Sequence, residues 1–438
     1  MRAIKWIGAG LLALAALAVL LFAWSRLSGP SDTQREALAL IENAAPATGD
    51  NAFDLLWLMP YDIPADERAA VVEADLARYR QQFAAGDESP PVADSRSTAE
   101  GRYPRVSDDE PAYCGLRETA CLAKVREQST GYADRLARDA ALLARARELA
   151  QNDHYRSRFP PGLQMPFPEF HRVAVSLTGS ALDFVEGRVD AALDAACTDV
   201  LTWRRLGAHG DSLIVVMIAA AMVEGNAALV ADMLAELPLD HPLPAACATA
   251  FDPETIAPDL CPSMIGEARW AFSVMQDTDT GGPLQSLLFD PARTRALAAP
   301  GYVYVCSGEF RRKLREDAAL DLPPVEASMW RLECVGNFLG CALQRIATPA
   351  YADYPRRVQD MQAMLGVVDT LWRLRSEADG PALQIADVEA ALAARPATSR
   401  PIRLDAEHGE LQIKLRGSRE ADSWRAPLPA SRWAAGEP

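Results

Sequence analysis

Lysine is nearly missing from this chain. Of 44 basic residues only Lys5, Lys124, Lys313 and Lys414 are lysine, and the other 40 are arginine. With abundant alanine, that excess reads as GC-rich coding bias, so a single arginine is weak evidence for a phosphate or carboxylate site. Positive charge is also short overall, with a formal balance of −16. This excludes sequence-independent nucleic-acid binding, which needs phosphates neutralised by basic side chains. It equally excludes broad electrostatic adhesion to anionic lipid.

Histidine is scarce: His154, His171, His209, His241 and His408. No His-Glu-x-x-His, Gly-x-Ser-x-Gly, Ser-x-x-Lys, Walker loop or Gly-x-Gly-x-x-Gly unit occurs. Asp277-Thr278-Asp279-Thr280-Gly281-Gly282 begins like a calcium loop. Gly281 and Leu288 then stand where the fifth and twelfth ligands belong, so an acidic solvated loop is the better reading. No Cys-x-x-Cys or Cys/His cluster is available for a metal. No cofactor, metal site or readable catalytic motif is expected.

What is present begins at the N-terminus. After Arg2 and Lys5, residues Trp6 to Trp24 run without a charge, long enough for a helix across the hydrocarbon core. Trp6 and Trp24 sit where interfacial aromatics belong. A cleaved signal peptide competes, but its apolar stretch is shorter, and Phe22-Ala23-Trp24-Ser25 is a poor cleavage site. The expectation is an uncleaved single-pass anchor in the lipid bilayer, its tip (1–5) cytoplasmic and its body in the periplasm.

Eight cysteines in an exported chain point to disulfides. Cys114 and Cys121 meet if the chain turns at Gly115. Cys247 and Cys261 flank a Pro-rich loop and are expected to pair. Cys334 and Cys341 fall in one helical pattern, about 10 Å apart along the axis, too far to bond. Burial as small apolar side chains is the alternative for the last four.

Along the chain, Ser31 with Gln34 forms a capping box ahead of a first helical segment, 31–86. Residues 87–112 are rich in Asp, Glu, Ser and Pro and read as a loop. A main helical domain spans 113–395. It opens with one long helix over 121–150, weakened at Thr130-Gly131. Three helices follow over 168–237, with Gly187 and Gly207 as breaks. The bend at Val185–Ala195 is tetratricopeptide-like, but no 34-residue period supports an array. Leu213 to Val223 reads as a buried central helix. Further helices are expected at 262–276, 291–299, 308–319, 324–347, 349–378 and 386–394. Asp290-Pro291 and Thr348-Pro349 serve as caps. Residues 400–417 read as a β-hairpin and 418–438 as a flexible tail. The fold class is mainly α.

Three stretches are candidates for function. Residues 154–171 gather His154, His171, Glu169, aromatics, arginines and prolines; the two histidines and Glu169 are catalytic candidates, and Glu169 with His171 would serve as an acid/base pair if brought together. The seam Tyr351, Tyr354, Val358, Met361, Leu365, Val368 and Trp372 has heptad spacing and suits a partner helix or the protein's own bundle. Arg311-Arg312-Lys313 is expected to pair with Glu309 or Glu316, and Gly336-x-x-x-Gly340 to permit tight packing.

The run Asn51-Ala-Phe-Asp-Leu-Leu-Trp57-Leu-Met-Pro-Tyr61-Asp62, the Cys114–Cys121 segment and the 179–250 helices together resemble a family of single-anchor envelope proteins of Gram-negative bacteria. That resemblance implies location and helical fold and carries no site residues. The expected role is binding or scaffolding another envelope protein. An envelope hydrolase with its site near 154–171, or an immunity-type inhibitor of a basic toxin, are the alternatives.

Overall fold

Helix starts follow the local capping chemistry. In this computed structural model, which describes residues 2–84, 97–106, 108–277, 282–320, 331–347, 351–377, 383–395, 400–417 and 421–429, the apolar run forms α1 (Arg2–Leu27). Its large side chains from Trp6 to Leu27 point outward into the surroundings. Ser31 and Gln34 close the expected capping box on α2 (Asp32–Glu42). Short α3 (Phe53–Trp57) and long α4 (Ala65–Ala84) complete the first segment.

The single helix expected over 121–150 is three: α5 (Cys121–Glu127), α6 (Ser129–Arg138) and α7 (Ala140–Glu148). The chain leaves helical geometry at Gln128 and at Asp139, not at Thr130-Gly131. Asp139 gives its carboxylate to Arg135 Nε at 2.6 Å and to the Tyr113 hydroxyl. The breaks let all three pieces wrap onto α8 (Ala174–Val185).

A bend at Gly187, with φ +83°, turns α8 back into α9 (Val189–Ala208). This is the expected helical hairpin. Gly207 is not the next break: it lies inside α9, where a Cβ would sit 2.8 Å from that of Ala219. The turn comes after it, and Ser212 caps α10 (Leu213–Glu236). This helix is buried almost all round and forms the centre of the molecule.

Around it lie α11 (Ala245–Ala250), α12 (Cys261–Asp277), α13 (Pro283–Leu288), α14 (Pro291–Val303), α15 (Gly308–Arg315), α16 (Leu332–Val335), α17 (Phe338–Ala347), α18 (Asp353–Ser376) and α19 (Ile385–Ala394). Asp290 caps α14 as expected, its Oδ1 accepting from Arg293 N at 3.0 Å. The basic patch on α15 is paired: Arg311 with Asp259, Arg312 with Glu316, Lys313 with Glu309. The calcium-like 278–281 stretch and the Thr348-Pro349 cap lie outside the described residues.

Two disulfide expectations are corrected. Cys247 bonds Cys197, tying α11 to α9, and Cys261 bonds Cys306. The Pro-rich loop between Cys247 and Cys261 instead wraps the guanidinium of Arg204, which donates to the carbonyls of Ala250 at 2.7 Å and Ile256 at 3.0 Å. Cys334 and Cys341 do bond, with Cα atoms 5.8 Å apart, because the helix breaks between them at Gly336-Asn337. Asn337 holds that break: its Oδ1 accepts from Asp290 N at 2.9 Å and its Nδ2 donates to Thr294 at 3.0 Å. Cys114–Cys121 forms as expected. Among the described residues no cysteine is free.

The C-terminal hairpin, β1 (Arg403–Asp405) and β2 (Glu410–Lys414), gains a third antiparallel strand, β3 (Ser423–Pro427), in the order β1-β2-β3. Residues 421–429 of the expected tail are thus structured. Trp424, Ala426 and Leu428 are buried against α10 and α18. One apolar core runs through the chain from Ala37 to Leu428.

Candidate functional site

The segment 154–171 is pinned along its length. Asp153 N and Ala52 N donate across to Asp50 O and His154 O, both at 2.9 Å. The Asn51 amide then binds both backbone groups of Arg156, at 2.8 and 2.9 Å, carrying this pairing on to Arg156. Tyr155 and Phe159 plunge inward and meet Phe53, Phe159 lies edge-on to Trp57 at 4.8 Å, and Phe170 packs edge-on to Tyr155. Such edge-to-face pairs are favoured by the ring quadrupole. The prolines cannot donate to a ladder, and their carbonyl flank is taken by α12: Ser273 Oγ donates to Pro161 O at 2.7 Å and Trp270 Nε1 to Gly162 O at 2.9 Å.

Beside this segment opens a cleft of ≈ 390 Å³. Pro166, Phe167 and Pro168 form one wall, Trp57, Pro60 and Tyr61 another, and Ser97, Glu100 and Arg105 the third. Asp75 holds two of these lining residues, Trp57 and Ser97, from behind. Its buried carboxylate accepts from Trp57 Nε1 at 2.7 Å, from the Ser97 hydroxyl at 2.5 Å and from Thr98 N.

A chain of polar contacts crosses the mouth. Tyr61 donates to Glu100 Oε2 at 2.7 Å, and Arg105 donates from Nη1 to the Tyr61 hydroxyl at 3.2 Å. Arg105 Nη2 donates to Glu169 Oε1 at 2.5 Å, while Arg172 Nε takes the other Glu169 oxygen at 2.7 Å. Burial, with help from Glu100, pushes the Tyr61 hydroxyl up to about 12, so it stays a neutral donor. Burial also raises Glu169, but the bonds from Arg105 and Arg172 outweigh it and hold the carboxyl below its ordinary value.

The three acid/base candidates are not brought together. Glu169 lines the cleft but its two oxygens are spent on arginines. His154 is buried, its Nδ1 has no partner, and burial holds the ring below its ordinary pKa. His171 is exposed. Tyr61, Glu100 and Arg105 were invisible as site residues in the sequence. The only signal was the quoted 51–62 run, and it gave no link to a segment read as a plain loop. Among the described residues, no group of three or more His, Cys, Asp or Glu side chains could hold a metal ion.

The heptad seam faces inward. Val358, Met361, Leu365 and Val368 are buried, and Tyr351, Tyr354 and Trp372 are half-buried against the same core. Tyr351 donates to the half-buried Glu267 at 3.1 Å. Of the two readings of this face, the geometry is that of packing onto the protein's own bundle. Only Tyr354 also lines a second groove, of ≈ 380 Å³, with Ile214, Met217, Ile218 and Arg357.

No family model, curated protein or solved structure matches this chain.

Proposed function

We propose that the protein is a membrane-tethered binding or scaffold protein of the bacterial cell envelope, which holds another envelope protein in the cleft between 57–61, 97–105 and 166–169. The observation that carries this reading is the prebuilt cleft mouth: the half-exposed Glu100, Arg105 and Glu169 are linked to one another and to the buried Tyr61, beside the 39 % exposed ring of Phe167. Rigid aromatic and arginine groups at a concave surface favour association because little entropy is lost on ordering them. The apolar α1 suits a bilayer anchor, and four disulfides suit an oxidising compartment such as the periplasm. Tethering then raises the local concentration of the cleft for neighbours in the same membrane.

Hydrolysis is less well supported. A general acid needs an exchangeable proton near neutral pH, and Glu169 is held ionised between two guanidinium groups. The test is in-cell photo-crosslinking from position 167 of the full chain, followed by mass spectrometry. A single stoichiometric partner, lost in Arg105→Ala, supports the reading. A partner-free protein would shift the cleft to a small-molecule ligand.

A further inference from the structure

A helix on a water-facing surface turns its large apolar side chains inward. The pair α16–α17 does the reverse: Leu332, Val335, Phe338, Leu339, Leu343 and Ile346 are 38–76 % exposed. On α17 the last four share one face by helical spacing. The opposite face, toward the body, carries the small Gly340 and the bridged Cys341. A Cβ on Gly340 would lie 2.0 Å from Thr294 Oγ1, so this side is packed as tightly as it can be. The exposure is not a loose end either, since the Cys334–Cys341 bond and the Asn337 hydrogen bonds fix both helices.

The position of this face relative to α1 is also fixed. Ser25 Oγ accepts from Gly336 N at 2.9 Å and donates to Glu333 O at 3.3 Å. A Cβ on Gly336 would come 3.0 Å from the Arg26 side chain. Arg26 pairs with Asp290 at 3.2 Å, and Arg293 Nη2 holds the carbonyls of Arg26 and Ser28 at 2.9 and 2.8 Å. The apolar face thus starts within one helical turn of Trp24 and Leu27, themselves exposed. Exposed Arg331 and Arg345 lie toward its two ends, where long basic side chains can reach headgroups while their stems stay apolar.

We infer that α16 and α17 lie in the surface of the same bilayer that α1 enters, apolar face down, and hold the body at a fixed orientation to the membrane. This rests on α1 being a bilayer anchor. Lipid is the occupant that the geometry favours, because the face continues the outward surface of α1 at the point where that helix leaves the bilayer. A net charge of −16 leaves apolar burial, not electrostatic attraction, as the force.

The test places a photo-crosslinking amino acid singly at 338, 343 or 346 of the full chain in vesicles of phosphatidylethanolamine and phosphatidylglycerol. Position 24 reports the anchor, and exposed Leu163 is the water-facing control. A non-reducing disulfide map checks each variant, and position 343 serves where replacement at 338 disturbs it. Lipid adducts at 338 and 346 comparable to those at 24, and absent at 163, are expected. Adducts at 24 alone overturn the inference and leave the anchor standing. No adduct at 24 overturns the anchor reading and the inference with it. Crosslinks from 338 or 346 to a second copy overturn it in favour of self-association.

Discussion

Arg105 and Glu169 meet across the mouth of the cleft, Nη2 to Oε1 at 2.5 Å, from segments 64 residues apart. Both side chains are about one-third exposed or more, so the pair is screened and adds little stability, on the order of 0.5 kcal/mol. Glu169→Gln and Arg105→Ala should therefore melt close to the parent while abolishing crosslinks from position 167. Large losses of melting temperature, with crosslinking retained in the folded fraction, would mean that the pair serves the fold and not a partner.

Asp199 makes the fold pH-sensitive. It lies between helices with one carboxylate oxygen unpartnered, and burial, opposed weakly by Ser176 and Arg147, pushes its pKa up to about 6. The unfolded value is about 4. Because the folded value is the higher, its favourable contribution is full below pH about 4 and is lost as pH rises through about 6. Asp199→Asn should then raise the melting temperature at pH 7.5, by at most about 3 kcal/mol of stability, and make no difference at pH 4. Scanning calorimetry across that range checks it; a gap that does not vary with pH would mean that folding leaves the Asp199 pKa unchanged.

All eight cysteines should resist alkylation until reductant is added, and peptide mapping should return Cys197–Cys247 and Cys261–Cys306. Loop entropy ranks the bonds: the 50-residue separation of Cys197 and Cys247 corresponds to about 4 kcal/mol, against about 2.5 kcal/mol for the seven-residue separation of Cys114 and Cys121. Paired Cys→Ala variants should melt in that order. Free thiols at Cys114 and Cys121 would remove the main support for an oxidising compartment.

Gly225 sits where α10 passes the loop closed by Cys114 and Cys121. A Cβ there would lie 2.4 Å from the carbonyl oxygen of Leu116. Backbone cannot swing aside as a side chain can, so Gly225→Ala should cost about 1–3 kcal/mol despite alanine's better helix propensity. Denaturant unfolding measures this, and a stabilised variant would show that the two elements are not in contact.

If α1 remains on the mature chain, the full-length protein should stay with membranes in alkaline carbonate. Release in soluble form would mean the segment from Trp6 to Trp24 has been removed.

Local signals read well from the residues alone. Ser31 with Gln34, Asp290 before Pro291, and Gly187 in its bend act within one turn of themselves, and each formed as expected. Signals that depend on distant partners did not. Helical periodicity runs past Gly336-Asn337 because what breaks the helix there is Asn337 bonding Asp290, 47 residues away. Cys247 lies nearer Cys261 in sequence, yet α9 and α11 pack side by side and bring it Cys197. The alternation of Trp424, Ala426 and Leu428 is too short to identify a strand until β2 supplies its register. For the site, the proline- and aromatic-rich 154–171 stretch was legible by composition. Tyr61, Glu100 and Arg105 were not, since only the fold carries them to it.

The central helix α10 is apolar enough to cross a bilayer, yet 83 % of its most apolar window is inside the protein. By length and apolarity the chain thus carries two segments of this kind, one exposed and one buried. Glu224 sits at the middle of the second and Asp232 about one turn from its end, and an acidic residue at the centre of a span raises the cost of insertion by about 2.5–3.5 kcal/mol. Glu224 finds Arg117 in the folded body, a partner that hydrocarbon does not supply. If α1 enters a bilayer, the carboxylates of α10 are what set the two apolar helices apart.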